Sequence, residues 1–223
     1  SHNGFELDKY FKTDDLKKCS RFWIILFKTI LSKLYHWKIY VVGSVEYQYP
    51  NHLFQAGYFL DKKYYDENTI DFKHLLLSEK NQSLLKDIQN SNSVGVRIRR
   101  GDYMTKQNLV IFGNICTQKY YHDAIRIITE KVNDAVFYVF SDDISWVQTH
   151  LDIPNAVYVN WNTGESSIYD MYLMSSCKYN IIANSTFSYW AARLNKKTNM
   201  VIYPSKWYNT FTPDIFPESW CGI

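Results

Sequence analysis

Short apolar runs recur through the second half of the chain, and several of them break off abruptly into a small polar cluster. Val94-Gly95-Val96-Arg97-Ile98 runs into Arg99-Arg100-Gly101-Asp102-Tyr103. Ala135-Val136-Phe137-Tyr138-Val139-Phe140 runs into Ser141-Asp142-Asp143, and Tyr179 to Ala183 runs into Asn184-Ser185-Thr186-Phe187-Ser188. Runs this short and this rich in β-branched and aromatic residues read as buried parallel strands. Val157-Tyr158-Val159 and Met200-Val201-Ile202-Tyr203 read the same way. Between them lie helical patterns at Tyr120 to Val132, Ile168 to Cys177 and Tyr189 to Leu194. Strand alternating with helix at these intervals constrains residues 91–205 to the α/β class, a doubly wound parallel sheet with helices on both faces.

In such a sheet ligands sit just beyond the carboxyl ends of the strands, so the three polar clusters fall along one edge. Arg99 and Arg100 present planar, permanently charged forks suited to bidentate contact with phosphate oxygens; a solvated turn carrying surface arginines is the alternative. Gly101 permits a sharp turn or a close approach of the backbone. Asp142 and Asp143 can accept hydrogen bonds from a base or from hydroxyls, can hold Mg²⁺, or can cap a following helix. Asn184, Ser185, Thr186 and Ser188 at a helix start offer hydroxyls and backbone amides to an anion. Together these describe a site for a nucleoside diphosphate. No GxxxxGK[ST] or GxGxxG pattern is present, which argues against a P-loop nucleotidase and a dinucleotide oxidoreductase. Arg100-Gly101-Asp102 as an adhesion tripeptide is disfavoured, because it comes directly after a buried strand.

The first part of the chain is less explicit. Residues 5–40 are helical in pattern and basic, with Phe22, Trp23, Leu26, Phe27, Ile30, Leu31 and Leu34 on one face. That face fits packing against a core, or a peripheral contact with a membrane surface. Short strands are expected over 39–60, around the turn Tyr49-Pro50-Asn51 and ending in Gln55 to Phe59. A helix is expected from Ile70 to Ile88, then a polar break at Asn90 to Ser93 that marks a domain boundary. Lys106 to Asn108 reads as a polar loop, and 206–223, with Trp207, Tyr208, Phe211 and Trp220, as a tail packing back.

A formal charge of +3 is too small for nonspecific binding of nucleic acid. At 46% hydrophobic residues the 223-residue chain can bury a large core, and some of its 19 tyrosines suit a site for a polar ligand such as a sugar. The four cysteines are widely spaced, which indicates neither zinc nor a disulfide scaffold. Two sequons, at Asn81 and Asn184, matter only in a secretory context. The most apolar run, Phe22 to Leu34, is broken by Lys28 and Lys33 and is too short to span a bilayer. With no signal peptide visible, a cytoplasmic protein is expected, peripheral at most to the inner membrane. The chain starts at Ser1 without Met and is expected to be a fragment.

Arg97-Ile98-Arg99-Arg100-Gly101-Asp102-Tyr103 resembles the HxRRGDY motif of the α-1,2-fucosyltransferases of glycosyltransferase family 11. Phe140-Ser141-Asp142-Asp143 resembles the second motif of that family. Asp170-Met171, Leu173-Met174-Ser175, Cys177-Lys178 and Ile181-Ile182-Ala183-Asn184-Ser185-Thr186-Phe187-Ser188 resemble the third. The resemblance implies a GT-B-like fold, GDP-fucose as donor, no metal, and inverting transfer to the 2-hydroxyl of a terminal galactose in a bacterial surface glycan. It implies that Arg97, Arg99 and Arg100 line the donor site, with Arg99 and Arg100 on the diphosphate. Asp142 or Asp143 would meet the guanine, and Asn184, Ser185, Thr186, Phe187 and Ser188 would surround the phosphates. Asp102 is then either the base for the acceptor hydroxyl or the carboxylate that orients the arginines, and Arg100 stabilises the leaving diphosphate. Arg97 and Tyr179 stand where the family has histidines, and the glycine-rich GGLGNQMFQYA motif is absent. Residues 1–90 are therefore expected to be a partial N-terminal domain on the acceptor side. A non-catalytic GDP-sugar- or glycan-binding module is the alternative reading.

Overall fold

The computed structural model describes residues 7–12, 30, 40–43, 54–57 and 70–223. They fall into two units, one of residues 1–11, 70–212 and 217–223, the other of residues 12–69 and 213–216. In the second unit two strands, β1 (Tyr40–Gly43) and β2 (Phe54–Gly57), pair in parallel from Tyr40 opposite Phe54 to Gly43 opposite Gly57. The helix expected over residues 5–40 and the segment Tyr58-Phe59 lie largely outside the described residues.

The first unit is built on a six-stranded, all-parallel sheet of β3 (Asn92–Ile98), β4 (Ala135–Ser141), β5 (Ala156–Val159), β6 (Tyr179–Ile181), β7 (Met200–Tyr203) and β8 (Cys221–Gly222). The spatial order is β5-β4-β3-β6-β7-β8. This is the doubly wound order in which the winding reverses between the first strand and the fourth, leaving a crevice outside the carboxyl ends of β3 and β6. The α/β, parallel-sheet expectation holds. The last two-residue strand, drawn from the tail, was not legible as one.

Among the described residues the helices with defined bounds are α1 (Leu7–Tyr10), α2 (Glu79–Asn90), α3 (Lys106–Phe112), α4 (Gln118–Lys131), α5 (Ile144–His150), α6 (Ser167–Met174) and α7 (Thr186–Arg193). Each of α2 to α5 starts where a side chain supplies the missing acceptor for a first-turn amide. Ser78 Oγ accepts from Asn81, Thr105 Oγ1 from Asn108, Thr117 Oγ1 from Tyr120 and Asp143 Oδ1 from Trp146. These caps correct two expectations. Residues 70–78 are not helical, because α2 starts only after the Ser78 cap. Lys106 to Asn108 is not a loop but the first turn of α3, whose outward Val110 and Ile111 disguise the period. Helix α2, expected ahead of the domain boundary, belongs to the same unit as the sheet.

The strands bury both faces. Val94, Val96, Ile98, Phe137 and Val139 pack with Tyr121, Ala124, Ile125 and Ile128 of α4 and Val147 of α5. On the other face Tyr138, Phe140 and Val159 pack with Leu84 and Ile88 of α2, Ile168, Leu173 and Met174 of α6 and Ala191 of α7. Phe11 forms an antiparallel bridge with Phe72, on which its ring stacks at 5.0 Å, and the Phe72 ring meets Tyr172 edge-on.

Candidate active site at the β3–β6 crevice

Register fixes the rim. Ile98 lies opposite Ser141, and Val96 opposite both Val139 and Ile181, so the next residues of β3, β4 and β6 leave the sheet together. Strand β3 leads into a tight 3-10 turn, Gly101–Met104. Gly101 is needed there for proximity: a Cβ on it would stand 2.5 Å from Asp142 Oδ2.

The two arginines are held differently. Arg99 is consumed: Nη1 donates to Asp142 Oδ2 at 2.5 Å and Nη2 to Asp102 Oδ1. The Arg100 amide takes the other Asp142 oxygen at 2.8 Å, and its Nε donates to Asp143 Oδ2 at 3.1 Å. Its guanidinium lies 3.7 Å from the Trp146 ring centroid. Among the described residues Arg100 Nη1 and Nη2 have no partner, so this fork keeps a free edge of N–H donors. Asp142 and Asp143 are thus engaged in aiming arginines, and Asp143 also caps α5. Asp102 keeps one oxygen without a partner among the described residues.

Beside this cluster opens a cleft of about 250 Å³, whose walls include Arg99, Arg100, Tyr103, Phe112, Trp146 and Asn184. Tyr103 stacks on Phe112 at 4.6 Å and donates its hydroxyl to Asn184 O at 2.9 Å, tying the turn after β3 to the exit of β6. Burial pushes the Cys116 thiol up to about 12; it donates to Asn184 Oδ1.

Along the β6 exit, Asn184 is internal: its Nδ2 donates to Trp207 O at 3.0 Å and to Phe112 O at 3.3 Å. Ser188 is buried, with its hydroxyl on Ala183 O and Ser185 O. Ser185 stands at the N-cap of α7 but makes no side-chain cap bond, and the Thr186 hydroxyl likewise has no partner among the described residues. Two hydroxyls and the first-turn amides of α7 are therefore available at the crevice. Phe187 is half-buried under Arg97, whose Cζ is 4.9 Å from its ring centroid.

Arg97 is only 7% exposed, and its Nε is a buried donor without a partner among the described residues. Burial pushes its guanidinium down, against the opposing pull of Asp142 and Asp170. Asp170 is the functional candidate that the strand exits do not reveal. It sits on α6 among buried Ile168, Met171, Leu173 and Met174, and burial pushes its carboxyl up to about 7 although Asn162 Nδ2 donates to it at 2.8 Å. A lone carboxylate on an otherwise apolar helix face was the signal. Among the described residues no three His, Cys, Asp or Glu side chains converge as a metal site, and no helix is long and apolar enough to cross a membrane.

The family model described as Glycosyl transferase family 11 matches residues 12–223. The chain belongs to glycosyltransferase family 11. It is 35% identical over 196 residues to the alpha-1,2-colitosyltransferase of Escherichia coli, an alignment covering 81% of this chain and 63% of that protein. It is 27% identical over 163 residues to the galactoside alpha-(1,2)-fucosyltransferase 2 of Pongo pygmaeus, covering 67% and 48%. This family 11 chain therefore spans less than two thirds of the length of either relative. Among solved structures it is similar to the fucosyltransferase NodZ from Bradyrhizobium, with a TM-score of 0.43 at 14% identity, covering 83% of this chain and 62% of that one. The stretches that carry the family 11 resemblance, Arg97 to Tyr103, Phe140 to Asp143 and Ile181 to Ser188, all lie at exits of the one sheet.

Proposed function

We propose that this chain carries the donor site of a transferase that moves L-fucose from GDP-fucose to the 2-hydroxyl of a terminal galactoside, with inversion and without a metal, in bacterial surface glycan synthesis. The observation that carries it is the free Nη edge of Arg100 beside a cleft at the β3–β6 crevice. The diphosphate takes that edge together with the Ser185 and Thr186 hydroxyls and the α7 amides. As the bond to the sugar breaks, negative charge grows on the diphosphate. A fixed guanidinium stabilises it with little reorganisation. Arg99 is the strut that holds Asp102 and Asp142 in place. The unpartnered Asp102 oxygen takes the proton from the acceptor hydroxyl as it attacks the sugar carbon. With Asp142 and Asp143 engaged by arginines, we assign the base edge to the Asp170 carboxylate and Arg97 Nε, an acceptor and a donor that complement a guanine.

Calorimetry of GDP binding to the wild type and to Arg100→Ala tests the site. The variant is expected to bind about ten- to a hundredfold more weakly, the loss of hydrogen bonds to a charged group. Equal affinities would remove Arg100 from the site. Transfer to a galactoside then separates an enzyme from a binding module: Asp102→Asn should retain GDP affinity and lose turnover. The E. coli relative's name supports a second reading, with colitose in place of fucose. Assays with both GDP-sugars in parallel decide between them by relative kcat/KM.

A further inference from the structure

Helix α5 places Asp143, Trp146 and His150 at its N-cap and then three and seven residues on, the spacing that aligns side chains along one stripe of a helix. All three bear on Arg100, directly or in series. Asp143 Oδ2 takes the guanidinium Nε at 3.1 Å. The Trp146 ring lies 3.7 Å from the guanidinium carbon, a cation–π contact. His150 stacks on Trp146 with ring centroids 4.6 Å apart and planes 12° apart, and its Nδ1 lies 2.9 Å from Trp146 O and 2.6 Å from Thr149 Oγ1.

A guanidinium has an Nε edge, a flat face and an Nη edge. Here the carboxylate takes the first and the indole the second, which fixes both the direction of the fork and the tilt of its plane. Only the Nη edge is left without a partner among the described residues, and Arg100 and Trp146 line the same cleft. Arg99 shows the contrast: both of its Nη groups end on carboxylates, so it presents no such edge. We propose that Trp146, backed by His150, is a positioning residue that sets the plane of Arg100 so that its Nη edge is already aimed at the diphosphate before the donor arrives. The gain is preorganisation, since a long flexible side chain is ordered ahead of binding. The proposal rests on the reading that Arg100 meets a diphosphate, but the clamp itself exists without ligand and is tested without it.

Two measurements on the full chain decide it. In the ligand-free protein, phenylglyoxal modification of Arg100 is followed by peptide mass spectrometry, with exposed Arg126 as internal reference. Trp146→Leu keeps an apolar side chain and removes the π face, and it should modify at Arg100 several-fold faster. Trp146→Phe, which restores a ring, should stay within about twofold of wild type, and His150→Ala should fall between. In calorimetry with GDP, W146L should weaken binding about five- to tenfold, W146F less than about threefold, and W146L in an Arg100→Ala background less than about twofold. Unchanged modification of Arg100 in W146L overturns the clamp. So does an equal loss of GDP affinity in both backgrounds, which would show Trp146 acting independently of Arg100. If modification responds as expected but Arg100→Ala leaves GDP affinity intact, the clamp stands and the donor-site reading falls.

Discussion

The two faces of the six-stranded sheet solve burial in different ways. The face under α4 and α5 is dry: Val94, Val96, Ile98, Phe137 and Val139 meet aliphatic and tyrosyl side chains. The face under α2, α6 and α7 has the same apolar matrix but admits Ser93, Arg97, Asp170, Asn180 and Asn195, all buried. Those amides are satisfied. Asn180 Nδ2 donates to Met174 O at 3.0 Å, while Asn195 Nδ2 donates to Cys177 O at 2.6 Å and Asn180 Oδ1 at 3.0 Å. Buried polar groups are costly unless bonded, so this face resists substitution through geometry, whereas the dry face resists through volume. The unmatched Arg97 Nε and the displaced Asp170 titration lie on the polar face, toward the crevice edge. Among the described residues, the one buried side-chain donor without a partner, Arg97 Nε, therefore lies on the polar face.

The comparison is broken most directly on the dry side. Phe137→Ala opens a cavity among fully buried neighbours and should cost about 3–5 kcal/mol in urea unfolding. A loss below about 1 kcal/mol would mean that this face is not close-packed.

The next effect is pH-dependent and belongs to the polar face. Asp170, raised to about 7 when folded, binds its proton more tightly there than in the unfolded chain. Its contribution to stability is therefore complete below about pH 4 and is lost as pH rises through about 7, on the order of 2–4 kcal/mol. Asp170→Asn should remove that slope between about pH 4 and 7, and a slope that survives the change would assign the titration elsewhere.

Smaller again is Gly95→Ala. Its Cβ would stand 2.8 Å from Asn180 Nδ2 and 3.2 Å from Cys177 Sγ, so a bonded amide must move; about 1–3 kcal/mol is expected. A neutral result would show the polar face to be as adaptable as an apolar one. Trp161→Phe should do least, about 1 kcal/mol. It removes the Trp161 Nε1 donor to Asn81 Oδ1 at 2.8 Å, but Asn162 Nδ2 still reaches that oxygen at 3.1 Å. A loss as large as that of Phe137→Ala would mean that the Asn81–Asn162 link depends on the indole.

Much of this architecture is written locally. The strands β3, β4, β6 and β7 show as apolar runs, α4 as an amphipathic period, and the polar clusters as abrupt changes of composition at strand ends. These features depend on side-chain periodicity within a dozen or so residues, so sequence alone determined the α/β class and brought the arginines, the aspartates and the β6 hydroxyls to one edge. Capped starts such as Thr105 and the short Cys221–Gly222 strand were harder to see, because outward apolar residues or extreme brevity hide their period. Only the tertiary structure decided which arginine is free. Arg99 and Arg100 are adjacent and chemically identical, and what separates them is the register of β3 against β4, which delivers Asp142, Asp143 and Trp146 from some forty residues away. The same holds for Asp170, an ordinary carboxylate in the sequence, whose altered proton affinity comes from the apolar surroundings that folding assembles around it.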